Sequence, residues 1–460
     1  MFNHQGIQST SAEKQCQPGA NFSTGVGQTA DRIAAANGLY LLAAKQDLAK
    51  AQHKLGLYFL DGVGVDPNTE EAVRYFRLAA DQGHVGAQYA LGRCLLDGKG
   101  VDPNAKEAVR YLRLAADQGH VGAQYNLGCC LLEDKGVDPN AEEAARYLRL
   151  AADQNHTDAQ NNLGLCLLEG KGVDPNAKEG VRYLRLAAEQ GLSDAQYNLG
   201  RCLLEGKGVD PNAEEAARYL RLAADQNHTD AQYNLGRCLL DGKDVDPNTE
   251  EAVRYFRLAA DQGHAGAQYH LSLCFARGRG VGLNMKEAVK WLHSAAEQGR
   301  AGAQYHLGLC FAKGWGVGLN MEEAVKWLHS AAEQGLSNAQ YNLGRCLLEG
   351  KGVDPNAKEA VRHLRLAAEQ GHVGAQYDLS LYFAIDTCLF DGEDVDQNAK
   401  EAMRYLGLAA DQGHADAQYN LSLCSAEGVG VKRKAGEVLN HLKSADGEQA
   451  TRRSISTALR

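Results

Sequence analysis

The fold of this chain is decided by a stretch that its sequence repeats, and residues 87–122 show it in full: AQYALGRCLLDGKGVDPNAKEAVRYLRLAADQGHVG. The pattern returns every 36 residues from Ala51 to Ala375, and a step six residues longer leads to the last copy at Ala417. A fixed period of this length is typical of an array in which each unit packs only on its neighbours. The eleven units begin at residues 51, 87, 123, 159, 195, 231, 267, 303, 339, 375 and 417.

The first half of each unit has the pattern of an amphipathic helix, which we call helix A. Ala87, Leu91 and Leu95 follow the i, i+4, i+8 spacing of one apolar face. The sixth position of the unit is always Gly or Ser, as in Gly92 and Ser272. Because Gly weakens a helix by about 1 kcal/mol relative to Ala, a small residue kept at this place predicts that another helix approaches closely.

The second half of the unit predicts a second helix, helix B, with recognisable ends. Asn104 followed by Glu107 resembles a capping box, in which Asn accepts from a backbone amide and Glu reaches back to the amide of the cap. The predicted stop is Gly119, and the equivalent residue is Asn155 or Asn227 in two units. Gly and Asn are the residues that tolerate the left-handed conformation found just after a helix.

These patterns predict an all-α fold, an α-solenoid of about eleven 36-residue helix-turn-helix repeats wound into a right-handed superhelix. The expected organisation is a disordered polar leader at 1–30, an N-terminal capping helix at 31–50, the solenoid at 51–446 and a basic C-terminal tail at 447–460.

Four linked motifs in each unit resemble a known family. They are Ala-Gln-Tyr-x-Leu-Gly, Gly-x-Gly-Val, Glu-Ala-x-x-Tyr/Trp-Leu and Ala-Ala-Asp/Glu-Gln-Gly, and together they resemble the Sel-one-like repeat (SLR), a relative of the tetratricopeptide repeat, from residue 51 to about 445. The resemblance implies a scaffold or adaptor that holds protein complexes together. It brings no catalytic motif.

Composition narrows the possible partners. The formal net charge of −10 argues against general nucleic-acid binding, which needs a basic surface. The first 30 residues lack the basic start and apolar stretch of a secretory signal, and no segment has the roughly 20 apolar residues that span a bilayer. The sequence therefore predicts a cytoplasmic protein without membrane insertion, whose partners are proteins or peptides.

Nine of the twelve cysteines occupy the eighth position of the unit, as Cys94 does, and Tyr58 takes that place in the first unit. Exchange with Tyr is typical of a packing position and not of a metal ligand. Equivalent positions of stacked helices lie about 8–10 Å apart, too far for disulfides, so these thiols are predicted to be buried and free. Cys129, at the seventh position, is predicted to be exposed.

No metal or cofactor site is predicted. Seven histidines recur just after helix B, but one imidazole per layer cannot complete a four-ligand site, so they are interpreted as solvated turn residues. Asp394-x-Asp396-x-Asn398 resembles the start of a calcium loop, although Ala399 stands where that loop has Gly. The histidines are His84, His120, His156, His228, His264, His372 and His414.

The candidate binding residues lie at positions four, seven and eleven of helix A, which share one side of the helix. In stacks of this kind helix A commonly lines the concave surface, and these positions vary from unit to unit. The predicted partner-binding residues are Asn126, Asn198, Arg201, Asn234, Arg237, His270, Arg277, His306, Lys313, Asn342 and Arg345.

The units at 267–302 and 303–338 differ from the others. They hold all three tryptophans, Trp291, Trp315 and Trp327, and lack the Asp-Pro pair of the other loops. One interpretation is a binding hot spot for an acidic or aromatic peptide, and the other is duplication of one variant unit. Trp291 and Trp327 replace Tyr111 and are predicted to belong to the core.

Three functions were weighed against these patterns. The first is a non-enzymatic protein-interaction scaffold. The second is a hydrolase-type enzyme, which is disfavoured because the same residues recur at every layer and no unique acid, base and nucleophile converge. The third is a passive structural spacer without a specific ligand.

Overall fold

The computed structural model describes residues 38, 40–133, 135–136, 138–242, 247–389 and 395–426, with the side chains of 385–389, 395–396 and 423–426 excepted. Twenty-one α-helices with defined bounds, a further helical segment at 40–45 and no strands occur in this part of the chain. Helices A and B alternate throughout, so the predicted all-α solenoid of helix-turn-helix repeats is confirmed.

The helices are numbered along the chain, so that odd numbers are A helices and even numbers are B helices. Their bounds are α1 Ala49–Asp61, α2 Thr69–Asp81, α3 Val85–Asp97, α4 Ala105–Asp117, α5 Val121–Leu132, α6 Ala141–Asp153, α7 Thr157–Glu169, α8 Ala177–Glu189, α9 Ser193–Glu205, α10 Ala213–Asp225, α11 Thr229–Asp241, α12 Thr249–Asp261, α13 Ala265–Arg277, α14 Met285–Glu297, α15 Ala301–Lys313, α16 Met321–Glu333, α17 Ser337–Glu349, α18 Ala357–Glu369, α19 Val373–Leu389, α20 Val395–Asp411 and α21 Ala415–Ala426.

The chain divides into two compact units, Met1–Gln190 and Gly191–Arg460. Within each unit, helix A packs on the helix B that follows it, and that helix B packs on the next helix A. The core is the apolar strip between these helices, where Leu91, Leu112 and their equivalents are fully buried.

The small residue at position six allows close packing of helix A on helix B, as predicted. A Cβ atom on Gly92 would lie 2.8 Å from Cγ of Leu112, closer than packed carbon atoms approach. Where Ser replaces Gly, the hydroxyl turns back into its own helix, since Oγ of Ser272 donates to the carbonyl of Tyr269 at 2.6 Å. The helix pair therefore accepts a small polar side chain at this place.

The predicted ends of helix B are confirmed. Oδ1 of Asn104 accepts from the amide of Glu107 at 3.0 Å. The residue after helix B is left-handed, with φ of 88° at Gly119, 66° at Asn155 and 67° at Asn227. The stop is therefore a conformational requirement that Gly and Asn both satisfy.

The reciprocal half of the capping box was predicted wrongly. The amide of Asn104 donates to the carbonyl of Leu95 at 2.9 Å, so it has no need of the Glu107 side chain. Glu107 instead accepts from Arg77 of the preceding helix B. Arg149 and Glu179 make the same bridge at 2.7 Å, so this glutamate joins neighbouring repeats.

The Gln of the Ala-Gln step is a buried bridge between repeats. Oε1 of Gln88 accepts from Nε2 of Gln118 at 2.8 Å, and its Nε2 donates to the carbonyl of Ala80 at 3.3 Å. A buried amide is stable only when its donors and acceptors are satisfied. Gln is therefore kept here because it meets the same partners in each layer.

The six extra residues before Ala417 lengthen helices, since α19 and α20 each have 17 residues where other helices have 12 or 13. Residues 40–45 are helical, and Tyr40 lies 5.7 Å from Tyr58 of the first repeat. The predicted leader, residues 31–37 and 39 of the predicted capping helix, residues 427–446 of the predicted solenoid, the tail and Asp394 lie outside the described residues. In the described part of the chain, no helix has the length and apolar character needed to cross a bilayer.

Candidate functional site

The candidate binding residues surround a tyrosine at the third position of helix A. The guanidinium carbon of Arg201 lies 5.7 Å from the centre of the Tyr197 ring. Nδ2 of Asn234, in the next repeat, lies 3.5 Å from the Tyr197 hydroxyl, and the ring of His228, in the same repeat as Tyr197, stacks on it at 4.6 Å. We call this arrangement a tyrosine hub, and it joins positions three, four and seven of adjacent repeats.

The arginines at position seven are also held by acids of their own helix. Arg201 pairs with Glu205 at 3.4 Å, and Arg345 pairs with Glu349 at 3.0 Å and with Asp378 of the next repeat at 3.9 Å. Partial burial lowers the pKa of Arg345, but Tyr341, Asp378 and Glu349 outweigh that effect and raise it. The guanidinium groups of these arginines are therefore held in place, and the neighbouring carboxylates neutralise part of their charge.

The two histidines at position four are packed into neighbouring hubs. His270 lies 5.6 Å from Tyr233 and 5.4 Å from Phe256, and His306 lies 5.8 Å from Tyr269. Burial, with Arg300 and Arg237 nearby, lowers the pKa of His270 to about 4. Both side chains are therefore neutral, partly buried rings at neutral pH, since burial lowers the pKa of His306 as well.

Three cations of the candidate set are exposed: Arg237, Arg277 and Lys313. Nζ of Lys313 lies 4.5 Å from the centre of the Trp315 ring. The asparagines Asn126, Asn198 and Asn342 are partly buried. The accessible charge of the set is therefore concentrated on α11, α13 and α15.

The interpretation of the seven turn histidines as solvated is wrong. Each is the N-cap of a helix A, and its Nδ1 accepts from the backbone amide three residues on, at 2.9 to 3.3 Å. Six of the rings also pack on the hub tyrosine of the preceding helix A, within the same repeat, at 4.3 to 4.6 Å, as His120 does on Tyr89. Burial lowers the pKa of His120.

Seven of the nine thiols predicted to be buried are buried, Cys238 is only partly buried, and the side chain of Cys424 lies outside the described residues. The prediction that Cys129 is exposed is wrong. The described cysteines are free thiols, and burial raises the pKa of Cys94 to about 11. Cys129 is partly buried, with Nδ2 of Asn162 3.6 Å from its sulfur. Burial raises its pKa to about 12. Cys129 takes the hub position that arginine holds elsewhere.

Trp291 and Trp327 pack against the core, as predicted. The tyrosine they replace donates to an acid one repeat earlier, as Tyr111 does to Asp81 at 3.0 Å. Nε1 of Trp327 is buried without a hydrogen-bond partner. Trp315 is different, because it lies in a loop and is exposed.

The described residues contain no group of three or more His, Cys, Asp or Glu side chains arranged to hold a metal ion. Within the compact unit Gly191–Arg460, the A helices carry a row of polar and cationic side chains beside their hub tyrosines, as Asn234 and Arg201 lie beside Tyr197. Such side chains can form hydrogen bonds and ion pairs with a ligand.

The sequence profile described as the Sel1 repeat matches eleven consecutive segments, from 49–84 to 415–437. The chain belongs to the Sel1 repeat family. Proteins built from Sel1 and related tetratricopeptide-like repeats generally act as protein-interaction scaffolds.

Two solved Sel1 repeat structures resemble the chain. One is c5321, a protective antigen of uropathogenic Escherichia coli strains, which is 28% identical, covers 92% of this chain and 89% of its own, and has a TM-score of 0.77. The other is a Sel1 repeat protein from Oxalobacter formigenes, which is 31% identical, covers 66% of this chain and 87% of its own, and has a TM-score of 0.53. A search of curated proteins gives no match.

Proposed function

We propose that this chain is a non-enzymatic scaffold that binds a peptide or folded protein along the surface formed by its A helices. The observation that carries the proposal is the contrast between constant and variable positions. Core positions such as Leu235, Leu271 and Leu307 keep one residue type in successive repeats. Positions four, seven and eleven change from Asn234 to His270 and from Asp241 to Arg277. A surface whose side chains vary while the buried core positions stay constant is suited to recognising one partner.

The hubs support the same function because they fix side chains before a partner arrives. Arg237 lies 5.8 Å from the centre of the Tyr233 ring while remaining exposed. An ordered arginine loses less conformational entropy on binding than a mobile one, and arginine is among the residues that dominate interface energies.

The test is a double charge reversal, Arg201→Glu with Arg237→Glu, in an affinity capture from native lysate followed by mass spectrometry. We expect the retained partners to be lost while the helical content and melting temperature stay unchanged. A matched control is Arg218→Glu with Arg254→Glu, because these arginines lie on helix B and also cover tyrosine rings, at 4.2 and 4.6 Å. Equal loss in both double variants, or loss in neither, would contradict the assignment to helix A.

A further inference from the structure

The loops of two neighbouring repeats expose a cluster of large apolar side chains. Leu283 and Leu319 are each 69% exposed, and Trp315 is 48% exposed. Most other repeats have Pro at the place of these leucines, and Pro103 packs against Gly98. Single exposed apolar residues are common on protein surfaces, but a cluster of large ones marks an interaction site. We call Leu283, Trp315 and Leu319 the loop-edge patch.

The backbone brings these three side chains onto one edge of the second compact unit, Gly191–Arg460. Gly316, the neighbour of Trp315, lies so close to the start of α14 that a Cβ atom there would overlap the carbonyl of Met285. Met285 follows Leu283 by two residues. The next loop repeats the contact, since Gly352 lies on Met321, two residues after Leu319. Along this edge, each loop therefore lies against the start of the preceding helix B. Leu283, Trp315 and Leu319 follow one another in that order.

The charge around the loop-edge patch is reversed relative to other repeats. Position eleven is Asp97 in the type repeat and basic here, as Arg277 and Lys313. Position sixteen is Asp102 in the type repeat and glycine here, at residues 282 and 318. Nζ of Lys313 covers the Trp315 ring at 4.5 Å. The carboxylate of Glu323, which follows the patch, is paired with Lys326 at 2.6 Å.

We propose that the loop-edge patch binds an extended acidic segment of a partner protein that carries two bulky apolar side chains about three residues apart. Equivalent residues of adjacent repeats lie about 10 Å apart. Three residues of an extended chain in the polyproline II conformation span about 9 Å and bring the side chain back to the same face. Leu283 and Leu319 therefore take the two apolar side chains, with Trp315 between them. Arg277 and Lys313 attract the carboxylates.

This inference rests on the proposed scaffold function, but it places a contact on the loops and not on the polar row of helix A. Leucine and tryptophan supply apolar area that the helix A surface lacks. Burying the two leucines and the tryptophan removes apolar area from water, which offsets the entropy that a short peptide loses on binding.

The experiment measures fluorescence anisotropy of a fluorescein-labelled peptide, Asp-Glu-Leu-Asp-Glu-Phe-Asp-Glu, titrated with the full chain. We expect saturable binding that weakens at least tenfold for Leu283→Ser with Leu319→Ser. Both side chains are mostly exposed, so these changes leave the fold intact. The matched control is Leu222→Ser with Leu258→Ser. Those leucines are also exposed, at 42% and 41%, but they lie on the B helices α10 and α12 of the same compact unit.

A second readout follows Trp315 itself. Its emission should shift to shorter wavelength when the peptide binds, and Trp315→Phe should remove the shift while the other two tryptophans remain. A peptide with Lys in place of every acidic residue should bind at least tenfold more weakly, because Arg277 and Lys313 would repel it.

The proposal is overturned if the acidic peptide does not bind, if the lysine peptide binds equally well, or if Leu283→Ser with Leu319→Ser leaves binding unchanged. It is also overturned if that variant abolishes self-association, which would identify the occupant as a second copy. The helix A variant Arg201→Glu with Arg237→Glu distinguishes the scaffold proposal from the loop-edge patch proposal. This variant should still bind the acidic peptide even if it no longer retains the captured partner.

Discussion

At the scale of single residues, the tyrosine that nine of the eleven repeats carry at position three explains several positions that look unrelated in the sequence. Tyr233 meets the ring of His264 at 4.5 Å, the ring of His270 at 5.6 Å and the guanidinium of Arg237 at 5.8 Å. The cap, position four and position seven are therefore contacts of one ring. Variation at positions four and seven therefore changes the side chains that surround this ring.

The histidine caps give a direct stability prediction. His120→Ala removes the acceptor for the Ala123 amide, now at 3.2 Å, and the stack on Tyr89 at 4.3 Å. We expect a loss of about 1 kcal/mol from the cap and up to about 1 kcal/mol from the ring contact, measured as a lower urea midpoint. His120→Asn keeps a cap acceptor and should lose only part of this.

A control for that change is His329→Ala, at an exposed histidine near Glu333, which should leave the midpoint unchanged. If His120→Ala and His120→Asn destabilise equally, the cap contributes nothing and stacking alone explains the effect.

At the scale of the helix, the pair A and B depends on the missing side chain at position six. A Cβ atom on Gly128 would lie 2.8 Å from Cγ of Leu148. Gly128→Val should therefore lower the free energy of unfolding by about 1–3 kcal/mol through overpacking. Thermal denaturation followed by circular dichroism measures the loss. Gly128→Ser should be milder, since the chain has Ser at 272 and 380.

A double variant tests whether the contact between position 128 and Leu148 causes this loss of stability. Leu148→Ala alone leaves a cavity and destabilises, but together with Gly128→Val it should recover part of the loss, because the valine fills space that leucine vacates. Simple additivity of the two losses would show that the helices do not meet at this residue.

The helices themselves were predictable because each is specified by residues close in sequence. Leu91 and Leu95 mark one face of α3, Asn104 begins α4, and Gly119 ends it with a positive φ. Each of these signals acts within one or two turns of chain. Each signal also recurs from repeat to repeat, so an exception such as Asn155 can be recognised as the equivalent of Gly119.

Contacts between helices that are distant in sequence were not predictable in the same way. His120 stacks on Tyr89, 31 residues earlier, and Glu107 pairs with Arg77, 30 residues earlier. Neither partner lies within the window that helical periodicity covers. The exposed loop leucines were also missed, because apolar periodicity marks the faces of helices and does not extend to single loop residues.

At the scale of the whole chain, the recurring histidines predict a loss of stability in mild acid. Burial lowers the pKa of His53 and of His270 from 6.5 to about 4, and it lowers the pKa of His120, His156 and His372. Above pH 6.5 these rings are neutral in both states. As the pH falls from 6.5 towards 4, the unfolded chain binds protons that the folded chain does not, so the free energy of unfolding falls.

The measurement is the melting temperature between pH 7.5 and pH 4.5, and a single substitution separates histidine from the carboxylates that also titrate. Asn stands at position four in the preceding repeat, as Asn234, so His270→Asn is the change that the chain itself offers. This variant should be less sensitive to acid than the unchanged chain, while His293→Asn, at an exposed histidine, should show the original dependence. If both variants follow the original curve, the pKa of His270 is not depressed, and the acid sensitivity has to come from groups other than the hub histidines.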